Sequence, residues 1–530
     1  MNTWLLGFLF APLIIGVLIY AFENRFFNRI IFVLQGSLSI FFILLLDISP
    51  YSFVLGGWPN TIGIECVIDP ISLLFVGMTL VGFWFIYLYD WAKGKNDPKY
   101  LFLICTLQSV MLSLFVVYDL FTIFILIELM TIIASILITY KKDSHSVKAG
   151  IYYLLINSMG MILYIIGVMI LYSLTGSLNI HVVQTQLPLV MSNQLFKLAM
   201  AFIISSIAVK SALFPLFHWL PIAHSAAPGS ISAILSGLIV KAGLFLLLRM
   251  SDIFHSASLG GVMLGIGILT ALSGAILAML QYDIKRLLSF STVSHIGLIL
   301  IGFSLPGAIP YMGGLLHLLN HFLFKSLLFL CVGLIINQTG ERNLKRIHGL
   351  WKTNPVLSVA LMIGIMGIVG FPMMNGQLSK ILIKAGAQDM GLKMLLYVVN
   401  VGTVISFLKL SQVFFGPAMK TVVDTKNRQS GVYLMAGLTL LAFPLEFLFL
   451  KNYEPYVYLA VAEKWLSSSL EFIIQFGIAM FIYMYVLVPA LRQNWPIVKE
   501  IKKLGVAYFG EAVALLLGFI GFLHLIMTNS

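Results

Sequence analysis

Charge and cysteine are both scarce in this chain. Asp, Glu, Lys and Arg together make up 10% of its 530 residues, against 60% hydrophobic residues, and the mean hydropathy is +1.01. That balance excludes a soluble multidomain protein, because apolar runs of ~20 residues belong in a hydrocarbon solvent and are long enough to span it. There are only three cysteines, Cys66, Cys105 and Cys331, far apart and without a CxxC pair. Their spacing argues against an iron–sulfur centre, a zinc site or a disulfide framework. No cofactor and no metal site is therefore expected in this chain, and any redox chemistry would lie in other chains. No targeting peptide is evident either. Met1-Asn2-Thr3-Trp4 has no basic stretch ahead of its apolar run and no small-residue cleavage site behind it, so the first span is expected to be retained.

What is present is a succession of apolar windows bounded by charges or by Gly and Pro. They predict an all-α polytopic membrane protein of about 14 to 16 transmembrane helices. Early spans fall near residues 3–22, 29–48, 68–90, 99–118, 120–140 and 149–174. An interrupted one falls near 354–387, and the last near 466–489 and 507–527. Four regions follow: N-terminal helices over 1–98, a first half-channel repeat over 99–250, a second over 258–415, and C-terminal helices over 416–530. The formal charge of +12 is best explained by where it sits. The odd-numbered connections collect most of the lysines and arginines, whereas the even ones hold only Lys393, Lys451 and Lys464. This positive-inside asymmetry places the odd connections in the cytoplasm and both termini outside a cell (inner or plasma) membrane, and it accounts for the basicity without nucleic acid.

The remaining basic residues, Lys197, Lys210, Lys241, Arg249, Lys325, Lys380, Lys384 and Lys409, lie in or beside predicted spans. A bare charge at mid-membrane costs from ~2.5 to more than 10 kcal/mol, so each needs a partner, water or a changed protonation state. Glu128 stands in FTIFILIELMTIIASILI with apolar neighbours on both sides. It reads as a proton site or the control charge of one, with a structural ion pair as the plainer alternative. Lys210 closes AMAFIISSIAVK ahead of SALFPLFHWLP, where Pro215 and Pro221 prevent a continuous helix. A broken helix beside a buried lysine offers free carbonyls and room for water, the usual construction of a transport site. Burial disfavours an ammonium and a nearby carboxylate favours it, so a change in the carboxylate's influence would switch such a lysine. Lys241, in GLIVKAGLFLLLRM, is similarly isolated.

In GGLLHLLNHFLFKSLLFLCVG, His317, His321 and Lys325 follow at i, i+4 and i+8 on one helical face, a polar stripe ~12 Å long. Two histidines and a lysine in register read as a proton relay, which His295 would join from the preceding span. A second break, at GIVGFPMMNGQLSKILIKAG, precedes Lys380. It repeats the layout of the first, as two half-channels each with a broken helix would. Lys384 and Lys409 read as lipid-interface lysines with an accessory role as the alternative, and His218 and His224 near the first break are further accessory candidates. A haem carrier using the histidines is disfavoured, because i, i+4 histidines on one helix do not face two stacked haems.

These residues resemble the antiporter-like subunits of Mrp-type cation/proton antiporters, respiratory complex I and membrane-bound hydrogenases. The clearest pieces are DLFTIFILIELM, KSALFPLFHWLPIAHSAAPGSISAILSGLIVKAGLFLLLR, QYDIKRLLSFSTVSHIGLILIGF and HLLNHFLFKSLLFL, within residues 60–415. The resemblance implies two repeated five-helix units and gives Glu128 as the charged modulator of Lys210, Lys241 as the link towards the centre, His317, His321 and Lys325 as the central relay, and Lys380 as the terminal lysine. Lysine at that last position resembles the NuoL, NuoN and Mrp D-type members more than NuoM. It further implies other membrane subunits as partners, another antiporter-like subunit among them, with protons as cargo and Na+ as a candidate second cation. The chain departs from the pattern in the loops: Ile222 replaces an acidic residue in WLPIAH, and GFPMMNGQLSK loses a proline and an aromatic. A membrane subunit of an inorganic-carbon uptake system, which reuses this fold, is the alternative reading.

Overall fold

The computed structural model describes residues 2–22, 25–59, 62–91, 97–251, 259–419, 429–493, 495–506 and 508–529. Of the connection charges, Lys93, Lys95, Lys420, Lys426 and Arg428 lie outside that set. Among the described residues, 13 helices are long and apolar enough to cross a membrane, and the shorter apolar helices Pro98–Leu114 and Pro355–Val369 add to them. The chain is thus a multi-pass, all-α membrane protein. It forms two compact units, one built from Met1–Ser211, Leu238–Leu259 and Phe509–Ser530, the other from Ala212–Gly237 and Gly260–Tyr508.

Short polar side chains set where the helices of the first unit begin. The Asp119 carboxylate accepts from the Thr122 backbone N–H at 2.7 Å and opens Leu120–Ile138. Asp143 does the same for Ser144–Thr175, Asn179 for Ile180–Val190 and Asn193 for Gln194–Lys210. Each cap satisfies backbone donors that the first turn leaves without partners. An antiparallel hairpin, Tyr51–Val54 with Glu65–Ile68, sits in the same unit in the register Tyr51↔Ile68, and its Glu65 accepts from the Asn179 side chain at 2.8 Å.

The second unit starts its central helices in the same way. Asp283 caps Ile284–Ser304 through the N–H groups of Lys285 and Arg286, and a 32-residue helix, Ala308–Thr339, follows as 32-residue Ser144–Thr175 does in the first unit. Both long helices end on a left-handed glycine, Gly176 (φ 71) and Gly340 (φ 69). Asp119 bridges Asn179 in one unit and Asp283 bridges Asn343 in the other. The two units thus share a capping aspartate, a 32-residue helix and a closing left-handed glycine.

Both sequence breaks are real helix ends. Gln194–Lys210 stops at Lys210 and the next helix, Trp219–Ala226, starts only beyond Pro215. Pro221 falls within that short helix, where a proline near the start is tolerated. Pro355–Val369 stops at Gly370 and resumes as Asn375–Gly386.

Within the second unit, helices Gly260–Met279 and Ile284–Ser304 touch backbone to backbone at glycines. A Cβ on Gly297 would come within 2.4 Å of the Ala271 N, and one on Gly274 within 2.3 Å of the Ser294 N. Gly297→Val is accordingly expected to overpack this contact at a cost of about 1–3 kcal/mol, read as a lowered unfolding temperature of the detergent-solubilised protein; an unchanged temperature would mean the helices part without cost.

An ion pair at the ends of two spans, with Asp69 just ahead of Pro70–Asp90 and Arg249 closing Gly229–Arg249, fixes the hairpin end of the first unit. Arg249 donates to both carboxylate oxygens of Asp69, at 3.1 Å through Nη2, and to the Ser72 hydroxyl. Burial opposes the Asp69 charge, but the hydrogen bonds and charge of Arg249, with help from Ser72, hold its carboxyl below the usual range. The pair's stabilisation is therefore complete above the ordinary carboxylate value of ~3.9 and is lost as pH falls through the depressed one. The stability difference between wild type and Asp69→Asn should shrink as the pH drops below about 4, which thermal unfolding across pH will check.

Candidate functional site

In the first unit Lys210, the last residue of its helix, is buried at 2% exposure. Its ammonium donates to the Thr131 hydroxyl at 2.5 Å and lies 5.9 Å from the centre of the Tyr153 ring. Thr131 in turn donates to the Ile127 carbonyl at 2.7 Å, so its oxygen is free to accept. Glu128 stands one turn earlier on the same helix and accepts from Ser158 at 2.9 Å through Oε2, while its Oε1 is buried without a hydrogen-bond partner. Lys210 and Glu128 thus form no direct ion pair, yet the carboxylate is near enough to act on the ammonium electrostatically. Lys241 is fully buried just after Leu235–Ile239, a stretch wound as π-helix, a local widening frequent at functional sites.

In the second unit the histidine stripe is joined from the preceding helix, as the sequence suggested. His295 Nδ1 meets His317 Nε2 at 2.9 Å, and His317 Nδ1 meets the Ser379 hydroxyl at 2.9 Å. The rings of His295 and His321 lie 5.8 Å apart. Lys325, on the same helix, turns its ammonium onto the Leu288 carbonyl at 2.8 Å and onto the Ser291 hydroxyl. Lys380, next in sequence to Ser379, donates to the Ile368 carbonyl at 2.8 Å and to Asn400 Oδ1 at 2.7 Å. It lines a cavity of about 510 Å³ together with Lys384, Asn400, Glu471 and Gln475.

The accessory candidates divide. Lys409 is buried rather than at the lipid interface and donates to the Met279 carbonyl at 2.8 Å, 4.4 Å from the Tyr282 ring. Lys384 pairs with Glu471. His218 meets the Leu504 carbonyl at 2.9 Å. His224 is fully buried, stacks on Phe329 at 4.4 Å, and has no hydrogen-bond partner on either ring nitrogen.

Sequence reasoning missed three kinds of group. Thr131, Ser158, Ser379 and Asn400 are uncharged and stand in apolar runs like many other hydroxyls and amides, so only their partners single them out. Lys285 reads from the sequence as a connection charge because Asp283 and Arg286 flank it, but it is 3% exposed and donates to the Ala227 carbonyl at 2.6 Å. Glu446 was readable: it is a lone carboxylate in LAFPLEFLFL, the same signature as Glu128, and it is 6% exposed.

Fold and site together define a class: a polytopic membrane protein with ionisable side chains inside its core, among them lysines on neutral oxygens and two histidines in contact with each other. The chain belongs to the NADH:quinone oxidoreductase/Mrp antiporter transmembrane family, whose pattern matches residues 117–406. It is 29% identical over 354 residues to NADH-quinone oxidoreductase subunit N of Desulforudis audaxviator, covering 64% of this chain and 70% of that one. To the D-type subunit of the Na(+)/H(+) antiporter of Alkalihalophilus pseudofirmus it is 27% identical over 465 residues, 84% of this chain and 93% of that one. In fold it resembles a chain of the archaeal membrane-bound sulfane sulfur reductase, with a TM-score of 0.77 at 24% identity over 90% of this chain and 99% of that one.

Thr131→Val keeps the shape of the side chain but removes the acceptor of a buried ammonium. It is expected to destabilise the first unit by about 1–3 kcal/mol, with Lys210→Met partly reversing the loss in the double variant because the stranded charge is then gone. Thermal unfolding of the four proteins of that cycle measures it.

Proposed function

We propose that this chain is an antiporter-like, proton-translocating subunit of a multisubunit membrane complex, either an Mrp-type cation/proton antiporter or a redox-driven pump of the complex I or hydrogenase type. The observation that carries this reading is the way the lysines inside the helix bundle are held. Lys210 sits on a hydroxyl, Lys325 and Lys380 on carbonyl, hydroxyl or amide oxygens, and none of these contacts is a carboxylate. An ammonium held by neutral acceptors can give up its proton without leaving an unpaired anion behind.

Glu128 and Lys210 hold and switch the proton of the first unit, with Lys241 as the link onward. His295, His317, His321 and Lys325 relay it in the second, and Lys380 releases it into the cavity at its side. Two charges ~6 Å apart at intermediate dielectric couple by ~3 kcal/mol, about a hundredfold in proton occupancy. A shift of charge in a neighbouring subunit that strengthens or weakens Glu128 is thereby enough to load or unload Lys210. The match over most of a D-type antiporter subunit supports the Mrp-type arrangement, in which another antiporter-like subunit is a partner. The charge asymmetry of the connections supports a plasma-membrane location with both termini outside.

Lys210→Ala and Lys380→Ala, each in the assembled complex, should lower proton transport in membrane vesicles by about a hundredfold or more while complex yield stays near wild type. Unchanged transport in both variants refutes the proposal. Mass spectrometry of the gently solubilised complex separates its two forms, since iron–sulfur or nickel–iron subunits mark the redox pump and small membrane subunits alone mark the antiporter.

A further inference from the structure

The carboxylate of the first unit has no counterpart at the equivalent place in the second. Thr292 stands as far beyond the capping Asp283 as Glu128 stands beyond Asp119, and neither Ile284–Ser304 nor Ala308–Thr339 contains an aspartate or glutamate. A carboxyl group arrives from another helix. Glu446, on Ser430–Tyr453, is the one buried carboxylate among the described residues of the second unit. Its Oε2 accepts from Asn320 Nδ2 at 3.1 Å, and the same nitrogen donates to the Asn375 carbonyl at 3.0 Å. Asn320 precedes His321 on the relay helix, and Asn375 opens the half-helix beyond the second break.

Two oxygens in this arrangement are left over. Glu446 Oε1 and Asn320 Oδ1 are both buried and have no hydrogen-bond partner. Two acceptors cannot satisfy one another, and a buried acceptor without a donor costs about 1–3 kcal/mol. One proton on Oε1 would supply the missing donor: the acid O–H can then pair with the Asn320 amide oxygen while the amide N–H donates to the acid carbonyl, the reciprocal pairing of a carboxylic acid with a carboxamide. The helices packed against Ser430–Tyr453 bring the titratable residues His317, His321 and Lys325, Lys380 and Lys384, and Glu463, Lys464 and Glu471, with Lys451 on its own helix. Among the described residues Glu446 forms an ion pair with none of them.

We propose that Glu446 is a proton-holding carboxyl group of the second unit, kept as the acid by its pairing with Asn320 and exchanging that proton during transport. Loss of the proton strips Asn320 Oδ1 of its donor and leaves the amide pulled between a full carboxylate and the Asn375 carbonyl. The charge state of Glu446 is thereby communicated to the break that positions Lys380. This assignment rests on the reading of the chain as a proton carrier.

The test uses the complete complex with two readouts. In infrared difference spectra the wild type should show a protonated carboxylic C=O band that exchanges in deuterated water and disappears in Glu446→Gln; absence of such a band overturns the proposal whatever the transport rate. In vesicles, Glu446→Gln should reduce proton transport by about a hundredfold with normal assembly, since glutamine reproduces both hydrogen bonds of the acid but carries no exchangeable charge. Glu446→Asp should restore a substantial part. Lys210→Ala is run alongside. If Glu446→Gln alone transports at the wild-type rate, the Glu446 assignment falls; if both variants do, the proton-carrier reading falls with it. Should Glu446→Gln fail to assemble, the Glu446→Asp variant decides: the carboxylic band shifts in it if the band belongs to Glu446, and a band left in place overturns the proposal.

Discussion

An ammonium in a hydrocarbon slab has to find oxygen, and in this protein Lys380, Lys409 and Lys285 find it at the ends of helices. The last carbonyls of an α-helix have no intrahelical donor, and they carry the negative end of the helix dipole. Lys380 takes the carbonyl of Ile368, next to last in Pro355–Val369. Lys409 takes that of Met279, last in Gly260–Met279, and Lys285 takes that of Ala227, just past Trp219–Ala226. Breaking a helix inside the membrane therefore does two things at once: it exposes carbonyls that need a donor and creates a place where a lysine is held without an anion. The second break and Lys380 are the two halves of one solution.

The same constraint explains what could be read from the sequence. An isolated charge in an apolar run is conspicuous, and so Glu128, Lys210, Lys241, Lys325 and Lys380 stand out; the breaks beside Lys210 and Lys380 follow from Pro215, Gly370 and Pro372 because these residues cannot continue an apolar helix cheaply. The register of His317 with His321 is fixed by helical geometry. What the sequence hides is whether a charge next to other charges is inside or outside. Lys285 has Asp283 and Arg286 as neighbours and resembles a loop residue, yet its first-turn position aims it inward. Lys409 resembles a snorkelling lysine but is closed off by Tyr282 and the Met279 carbonyl. The neutral acceptors are hidden altogether, since a threonine or asparagine among so many gains meaning only from the side chain placed against it.

The two units put different chemistry at matching places, and that difference is informative about direction of flow within the proposal. Thr131 and His295 stand equally far beyond their capping aspartates, Asp119 and Asp283, while Tyr153 and His317 stand equally far into their 32-residue helices. In the first unit these places hold a hydroxyl that fixes Lys210 and a ring that lies beside it. In the second they hold two imidazoles in contact with each other, continued to Ser379. A threonine hydroxyl can hold a proton donor but does not itself titrate, whereas an imidazole accepts a proton on one nitrogen and releases one from the other. The first unit is thus equipped to keep a proton until Glu128 releases it, and the second to pass one along. A relay of neutral imidazoles also needs no permanent counter-charge beside it. This accounts for a threonine, Thr292, at the place of Glu128, and for the second unit's buried carboxyl being set apart on its own helix, behind Asn320, where it acts on the relay through the break rather than by pairing with a histidine.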